Sequence, residues 1–312
     1  MATTLRSTRS AGLRAVAVAD EGTLGRVGSW ELVRLVGQGH LSSVYQARPI
    51  GSLPDRPACH AIKMLQPEWQ DDKRGLPILA REVFVSRRVA SPHLVPILAA
   101  ELETPPYFLA MPLLEGSTLA ERLWRQTPLD LSAAFWIGRQ VAQALQALET
   151  GGWMHADVKP GNIFLSPSGH VTLVDLGFAR AVGETGSVAE RPVLGTLSYI
   201  APELLFSALG GDIRSDIYSL GATLFEILTG HLPFDAQNVA ELAVKHRQEA
   251  PADLRGLVPQ LPTRAARLVH RMLAKEPLRR PLPGEVIDRL VALEIETFGE
   301  RAFPTALLPR CG

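Results

Sequence analysis

The pattern of apolar and polar positions divides the chain into a strand-rich first part and a helix-rich remainder. Between residues 30 and 114, short apolar runs alternate with turns that contain Gly and Pro, which is typical of antiparallel strands. The runs are WELVRLV, SSVYQARP, HAIKML and YFLAMPLL. One helical pattern interrupts them at about residues 76–89, and its apolar side is formed by Leu79, Val83, Phe84 and Val89.

After this strand-rich part the pattern predicts long helices, at residues 132–149, 216–229, 239–247 and 263–275. Ser132 is the expected N-cap of the first helix, and Gly151 and Gly230 are the expected C-terminal stops of the first two. A small sheet with one helix therefore precedes a larger helical part. The predicted fold class is α+β, with the break between the two parts near residues 112–117.

Composition and charge narrow the class of protein. The 32 Lys and Arg residues balance 32 Asp and Glu residues, which argues against a dedicated nucleic-acid-binding surface. An apolar fraction of 46% and a charged fraction of 21% are ordinary values for a globular chain. The longest apolar stretches are interrupted by acidic residues or prolines before the ~18 residues that a membrane span requires. We therefore expect neither a nucleic-acid partner nor a membrane span.

The chain start and the cysteines suggest a compartment. The first residues contain Arg, Ser and Thr but no acidic residue, a composition that organelle transit peptides share, whereas their apolar run is too short for a signal peptide. We expect a disordered tail at residues 1–28. Cys59 and Cys311 lack the spacing of a metal site or a redox pair. A reducing cytoplasm is the expected location.

A glycine-rich turn between the first two strands is the first candidate for chemistry. Gly37 and Gly39 begin the pattern G-x-G-x-x-S, which ends at Ser42. Glycine amides could approach a triphosphate closely because no Cβ intervenes. A strand follows rather than a helix, which excludes the dinucleotide-binding fingerprint of Rossmann folds. Taken alone the motif is weak, since glycine hairpins also occur simply to turn the chain.

A lysine in an apolar strand is the second candidate. Lys63 follows His-Ala-Ile, and a buried ammonium group is costly unless an anion meets it. Glu82 in the predicted helix is the candidate carboxylate, because it would share a face with Leu79 and Val83. The alternative is a solvated lysine at the edge of the sheet.

Three polar side chains flank two further short apolar strands. Asp157 and Asn162 belong to HADVKPGN, which precedes the strand IFL, and Asp175 follows the strand VTLV. A hairpin of these strands would bring the three side chains to one place, where they must face a ligand or one another. Carboxylate and amide oxygens suit Mg²⁺, which takes its remaining ligands from water and substrate phosphates.

The order and spacing of these motifs resemble the eukaryotic-type (Hanks-type) Ser/Thr protein kinase family, in a form of bacterial character. The resemblance covers about residues 30–281 and includes Ala-Pro-Glu at 201–203, SDIYSLG at 215–221 and Arg-Pro at 280–281. It implies a two-lobed fold with a small β-rich N-lobe that contains one main helix and a larger, mainly helical C-lobe. The implied bounds are 29–112 for the N-lobe, 112–116 for a hinge, 117–283 for the C-lobe and 284–312 for a C-terminal helix and tail.

The resemblance also implies catalytic roles, with ATP and Mg²⁺ as cofactors and a protein Ser/Thr hydroxyl as acceptor. Lys63 would hold the α- and β-phosphates, and Glu82 would hold Lys63. Asp157 would be the base or orienting carboxylate for the hydroxyl, and Lys159 would stabilise charge on the transferred phosphoryl group.

The remaining implied contacts are with the metal and the nucleotide. Asn162 and Asp175 would ligate Mg²⁺. Met111 would be the gatekeeper, the Leu114 amide would donate to adenine, and Glu115 would reach the ribose. The full set of implied nucleotide contacts is Gly37, Gly39, Ser42, Val44, Ala61, Lys63, Met111, Leu114, Glu115 and Leu165.

Departures from the family pattern carry their own expectations. Ala156 stands where the family usually has an arginine that binds a phosphorylated activation loop. We therefore expect activity of the non-RD type that needs no phosphorylation of this loop. Thr185 and Ser187 are the candidate autophosphorylation sites, and Thr196 would lie near the catalytic Asp and Lys.

Four further residues are expected to be structural. Glu203 would pair with a buried Arg280, and Asp216 would support the catalytic turn from beneath. Glu226, which binds a basic substrate residue in some relatives, is also expected to be structural.

Two other functions remain open at this stage. A pseudokinase-like scaffold would bind nucleotide and regulate a partner without transferring phosphate, but such scaffolds typically lack at least one of the residues named above. The second alternative is a kinase of similar fold that phosphorylates a small molecule. The Ala-Pro-Glu motif and Lys159 favour a protein substrate over a small molecule. No sensor domain is recognisable, so we expect regulation through a protein partner or through the tails at residues 1–28 and 284–312.

Overall fold

A computed structural model describes residues 24–53, 56–125, 128–184, 197–206 and 211–302. Within them the chain forms two compact units: the first runs to Leu79 and includes Leu98–Leu113, and the second contains Ala80–Ile97 and continues from Leu114. Most of the predicted N-terminal tail, the end of the C-terminal tail, and the predicted sites at Thr185, Ser187 and Thr196 lie outside the described residues.

The first unit is built on an antiparallel sheet that has six strands among the described residues, in the order β1-β2-β3-β4-β6-β5. The strands are β1 (Gly25–Val27), β2 (Trp30–Gln38), β3 (Ser42–Pro49), β4 (His60–Leu65), β5 (Ala99–Glu101) and β6 (Phe108–Pro112). A short helix, α1 (Pro67–Gln70), follows β4. The strands predicted from alternation are confirmed, because each of the four apolar runs overlaps one of them. The prediction of a disordered tail as far as residue 28 is wrong at its end, because β1 pairs with β2 there.

The two faces of this sheet differ in character. Ile62 lies opposite Tyr45 and Ala110 in neighbouring strands, and Met64 lies opposite Phe108. Residues directly opposite each other share a face, and these belong to the apolar core of the unit. The side-chain period of two therefore places Lys63 and its neighbours on the other face.

Helix α2 (Gly75–Ser86) begins in the first unit and ends in the second. Leu79, Glu82 and Val83 are buried on one side, as predicted. The prediction for Phe84 is wrong: it is 44% exposed, because at 100° per residue it lies about 140° around the helix from Leu79. Val89 is buried, but it follows the end of the helix.

The second unit contains most of the helices. They are α3 (Leu119–Arg125), α4 (Leu131–Thr150), α5 (Pro202–Phe206), α6 (Ile213–Thr229), α7 (Val239–Gln248), α8 (Leu254–Leu257), α9 (Thr263–Met272) and α10 (Pro283–Ala302). Its strands are β7 (Ser117–Thr118), β8 (Trp153–Met154), β9 (Ile163–Leu165), β10 (Val171–Leu173) and β11 (Arg180–Ala181). β9 pairs with β10 and β7, and β8 pairs with β11. The predicted hairpin of β9 and β10 is confirmed.

The core of the second unit is formed where α4 contacts α6 and α10. Gly138 in α4 permits a close approach, because a Cβ there would lie 2.9 Å from Leu224 and 3.2 Å from Leu290. Val286, Leu290 and Leu293 place one side of α10 in the same core. Among the described residues, no helix is long and apolar enough to cross a bilayer.

The helix ends agree only partly with the sequence predictions. Asp130, not Ser132, caps α4: its carboxylate accepts a hydrogen bond from the Ala133 N–H. Ser132 lies inside the helix and donates its hydroxyl to Asp130. Gly230 ends α6 with φ 79°, the left-handed conformation expected of a C-terminal glycine, whereas Gly151 keeps φ −79°.

The segment before Leu98 belongs to the second unit, although the sequence pattern predicts it as part of the first lobe. Leu94 forms a bridge with Leu173 in β10, and the N–H of Leu173 bonds to the carbonyl of His93 at 2.8 Å. The ring of His93 bonds to the Val171 carbonyl at 2.9 Å. These bonds make the segment a neighbour of β10.

Candidate active site

The turn between β8 and β9 carries the first group of candidate residues, and α6 supports it. Asp216, which is buried, accepts hydrogen bonds from the backbone N–H of His155 at 2.6 Å and of Ala156 at 2.7 Å. The expectation that Asp216 supports this turn is confirmed. Ala156 has φ 63°, a left-handed conformation that costs a non-glycine residue about 1–3 kcal/mol. The two charge-assisted bonds stabilise the turn in this conformation.

A buried histidine fixes the direction of the same turn. The Asp157 N–H donates to Nδ1 of His155 at 3.2 Å, and Nε2 of His155 lies 3.1 Å from the Val174 carbonyl. Nδ1 must therefore be the acceptor and Nε2 the protonated nitrogen, which identifies the tautomer. His155 links the turn to the end of β10. This role of His155 is not predictable from sequence, because its position in the motif does not reveal which atoms it contacts.

Asp157 is the centre of the cluster. Its side chain is 5% exposed, and its Oδ2 accepts hydrogen bonds from Lys159 Nζ and from Asn162 Nδ2, each at 2.8 Å. Burial raises the pKa of Asp157, and the negative charge of Asp175 raises it further, against the lowering effects of Lys159 and Asn162. The carboxylate is thus held in place by two donors and largely shielded from water.

Asn162 is oriented by Asp157. Its Nδ2 donates to both the backbone carbonyl oxygen and Oδ2 of Asp157. The amide oxygen of Asn162, Oδ1, is not used in these two bonds and can act as a ligand. Asp175 follows β10 in the left-handed conformation, with φ 70°, and its charge acts on Asp157. The donor set of one amide oxygen and one carboxylate fits Mg²⁺, which needs few protein ligands when phosphates supply the rest.

The candidate nucleotide contacts of the first unit lie on one face of its sheet. Lys63 in β4 is directly opposite Val44 in β3, and Ala61 is opposite Met111 in β6. Gly37 in β2 is opposite Val44 in turn. These five positions share the face that the apolar core leaves uncovered. Lys63 itself is 9% exposed, so its ammonium group is not that of a solvated edge lysine.

The remaining predicted contacts lie in the second unit or in the glycine-rich turn. Glu82 is 1% exposed within α2, and its pairing with Lys63 stays a prediction. Leu114 and Leu165 are half-buried, and Glu115 is exposed. Next to them a Cβ at Gly116, which has φ 131°, would lie 2.0 Å from the Leu165 carbonyl oxygen, so only glycine fits. Gly39 and Ser42 close the glycine-rich turn with a backbone bond of 2.9 Å.

The comparisons with known proteins agree with this arrangement. The family model described as a protein kinase domain matches residues 30–290. The chain belongs to the protein kinase domain family. Kinases of this family use ATP and Mg²⁺.

Three similar curated relatives of this kinase domain come from bacteria. The chain is 30% identical over 278 residues to the serine/threonine-protein kinase PrkC of Bacillus subtilis, covering 88% of this chain and 42% of that protein. It is 31% identical over 250 residues to a probable kinase, PknB, of Lactococcus lactis, covering 79% and 39% respectively. It is 32% identical to PknD of Mycobacterium tuberculosis, covering 81% and 38%. The chain therefore spans about two fifths of the length of these relatives.

Two contacts beyond the catalytic turn of the kinase domain match the structural roles expected from sequence. Glu203 and Arg280 form a bidentate ion pair, with N–O distances of 2.5 and 2.9 Å, and the Arg280 side chain is fully buried. Glu226 accepts a hydrogen bond from the Tyr199 hydroxyl at 2.7 Å. Burial raises the pKa of Glu226, while the Tyr199 bond opposes the increase. Glu226 is thus engaged with a side chain of its own unit.

Proposed function

We propose that this kinase domain transfers the γ-phosphoryl group of ATP to Ser or Thr hydroxyls of a protein. The observation that carries the proposal is the buried Asp157 carboxylate, held by Lys159 and Asn162 with the charge of Asp175 nearby. Four polar side chains from one turn and the end of one strand gather there, and membership of the protein kinase domain family supports a phosphoryl-transfer role for that cluster.

Asp157 receives the acceptor hydroxyl in the proposed mechanism. Its Oδ2 is engaged by Lys159 and Asn162, so we assign Oδ1 to the hydroxyl. The hydroxyl oxygen forms a bond to the γ-phosphorus while the bond from that phosphorus to the β–γ bridging oxygen breaks and ADP leaves. The hydroxyl proton passes to Asp157 and then to solvent. Lys159 stabilises the negative charge that spreads over the transferred oxygens.

The other candidate residues bind and orient the nucleotide. Asn162 Oδ1 and the Asp175 carboxylate would hold Mg²⁺, which neutralises phosphate charge and aligns the phosphates when bound. Lys63 would bind the α- and β-phosphates, with Glu82 as its anion. The sheet face that carries Val44, Ala61 and Met111 would contact the adenine ring. The Leu114 amide would donate to adenine, and Glu115 would bind the ribose.

Regulation is the finer part of the proposal. Because Ala156 offers no guanidinium group to a phosphorylated loop, we propose a non-RD kinase whose activity does not depend on that phosphorylation. We further propose a cytoplasmic location, autophosphorylation of the chain and control by a regulatory protein partner.

Transfer of labelled phosphate tests the function. Wild type and Asp157→Asn are incubated with γ-labelled ATP, Mg²⁺ and a generic Ser/Thr-rich protein, with Asp288→Asn on the exposed side of α10 as the matched control. We expect the label on the protein with wild type and Asp288→Asn, and at least a hundredfold less with Asp157→Asn. Equal labelling in all three, or none in any, would favour the scaffold; labelling of a small molecule alone would favour the small-molecule kinase.

A further inference from the structure

Three consecutive carbonyl groups of the glycine-rich turn are bonded by one segment after β4. The Gly39 carbonyl accepts from the side-chain amide of Gln66. The His40 carbonyl accepts from the indole N–H of Trp69 at 3.0 Å, and the Leu41 carbonyl accepts from the Gln66 backbone N–H at 3.0 Å. We call residues 66–69 the strap segment. All of these contacts lie within the first unit.

Packing fixes the strap segment in place. Pro67 begins the short helix α1, and Trp69 is 6% exposed. The Trp69 ring meets the His40 ring edge to face at 5.3 Å, and the Arg74 guanidinium lies 5.1 Å from its centre. A Cβ at Gly75 would approach the Trp69 carbonyl oxygen to 2.4 Å, so the chain can fold back against Trp69 only at a glycine.

The three bonds determine where the amide groups of the turn point. A trans peptide is planar, and its C=O and N–H point in opposite directions. The one cis peptide found among the described residues joins Pro105 and Pro106, so the peptides of the turn are trans. The carbonyls of residues 39–41 face the strap segment, and the N–H groups of His40, Leu41 and Ser42 therefore face away from it.

We propose that Gln66 and Trp69 are positioning residues that orient the amides of the glycine-rich turn for phosphate binding. The inference rests on the proposed function, since it assigns the phosphates of a nucleotide to that turn. Backbone amides that face one side form an anion-binding concavity. A turn already held in that geometry loses less conformational entropy when the nucleotide binds, and affinity increases.

Two substitutions each remove one hydrogen bond between the strap segment and the glycine-rich turn, with little change in side-chain shape. Trp69→Phe keeps an aromatic ring but deletes the indole N–H, and Gln66→Met removes the side-chain amide at a half-buried position while keeping the backbone bond. Trp124→Phe is the matched control, because Trp124 is 91% exposed in the second unit. Binding of ADP and Mg²⁺ is measured by calorimetry, and KM for ATP and kcat are measured by phosphate transfer.

We expect each strap variant to raise the Kd for ADP and the KM for ATP about fivefold, the effect of one hydrogen bond of ordinary strength. kcat should stay within twofold of the wild-type value, because the variants weaken the binding of ATP in the ground state and in the transition state equally. Backbone amide exchange at residues 39–42 should increase in the variants without nucleotide. A variant that is only destabilised would lose kcat through loss of active enzyme and keep KM.

The outcomes separate the inference from the function. Unchanged Kd and KM in both variants, with an active wild type, would overturn the inference and leave the kinase function intact. A wild type that binds ADP but transfers no phosphate would contradict the function, and the calorimetric comparison would still decide the inference. A wild type that binds no nucleotide would overturn both. If Trp69→Phe unfolds, Gln66→Met decides the question.

Discussion

Arg81 and Glu184 form a bidentate ion pair within the second unit, with Nη1–Oε2 and Nη2–Oε1 distances of 3.0 and 2.7 Å. Arg81 precedes Glu82 in α2, and Glu184 follows β11, which pairs with β8 just before the catalytic turn. Oε2 of Glu184 also accepts from the Ala181 N–H at 3.0 Å. The pair therefore connects the helix that carries Glu82 to β11, which is the partner strand of β8.

Arg81→Met is expected to lower kcat about fivefold, because the position of Glu82 becomes less restricted. The loss of folding stability should stay below about 1 kcal/mol, since both side chains are about one third exposed and such pairs contribute little. Kinetic assays and urea unfolding measure the two effects. Arg271→Met, which breaks the exposed pair with Glu285, is the control. Equal kcat values for the two variants would contradict the connection.

Dephosphorylated wild type is expected to keep its activity. The side chain of Ala156 is a buried methyl group, which has no donor for the phosphate of a phosphorylated loop. The measurement compares the rate before and after phosphatase treatment, with mass spectrometry to verify that phosphate is removed. A loss of more than tenfold, about 1.4 kcal/mol of barrier, would contradict the prediction.

Asp216→Asn is expected to destabilise the fold by about 2–3 kcal/mol and to lower kcat more than tenfold. An amide presents one acceptor to two N–H groups and places a donor against one of them, while Ala156 stays in a strained conformation. Urea unfolding and transfer assays test this. Asp212→Asn at the start of the same helix, where the side chain is 39% exposed, is the control. Asp216→Asn should unfold at clearly lower urea; similar midpoints would refute the account.

Acid is expected to destabilise the chain through His246. Burial, and then the positive charge of Lys275, lower the pKa of His246 to about 4 from an ordinary 6.5. The unfolded chain binds a proton below pH 6.5 that the folded chain accepts only near pH 4. Stability from this group is therefore complete above pH 6.5 and declines as the pH falls toward 4, by about 3 kcal/mol at most.

Urea unfolding at pH 7 and pH 4.5 measures this decline. His246→Gln should lose less stability between the two pH values than wild type, whereas His231→Gln, at an exposed position, should lose as much as wild type. Identical pH dependence in wild type and His246→Gln would show that another group is responsible.

Local patterns explain which parts of the fold could be predicted. Strands β2, β3, β4 and β6 were accessible because alternation and Gly or Pro turns are local signals. The sequence predictions were wrong at two positions where neighbouring residues are of similar type, the N-cap of α4 and the buried side of α2. Asp130 displaces Ser132 as the cap because it precedes the helix and accepts from the Ala133 N–H. Phe84 directly follows Val83 and is apolar, but the helix turns it away from the buried side.

The site was predictable as a set of residues but not as a set of contacts. Motif order indicated Asp157, Asn162 and Asp175, and the geometry around Asp157 brings them together. The strap segment and the Arg81–Glu184 pair gave no signal, since their partners are 25 or more residues apart and follow no period. Such contacts depend on how the chain turns between elements, and a single sequence does not encode that turn in any short pattern.

The most direct test of the account is a crystal structure with a non-hydrolysable ATP analogue and Mg²⁺. The account predicts a metal bound by Asn162 Oδ1 and the Asp175 carboxylate, a phosphate within hydrogen-bond distance of Lys63 Nζ, and the γ-phosphate within reach of Lys159. A nucleotide that binds without these contacts, or no bound nucleotide at saturating concentration, would contradict it.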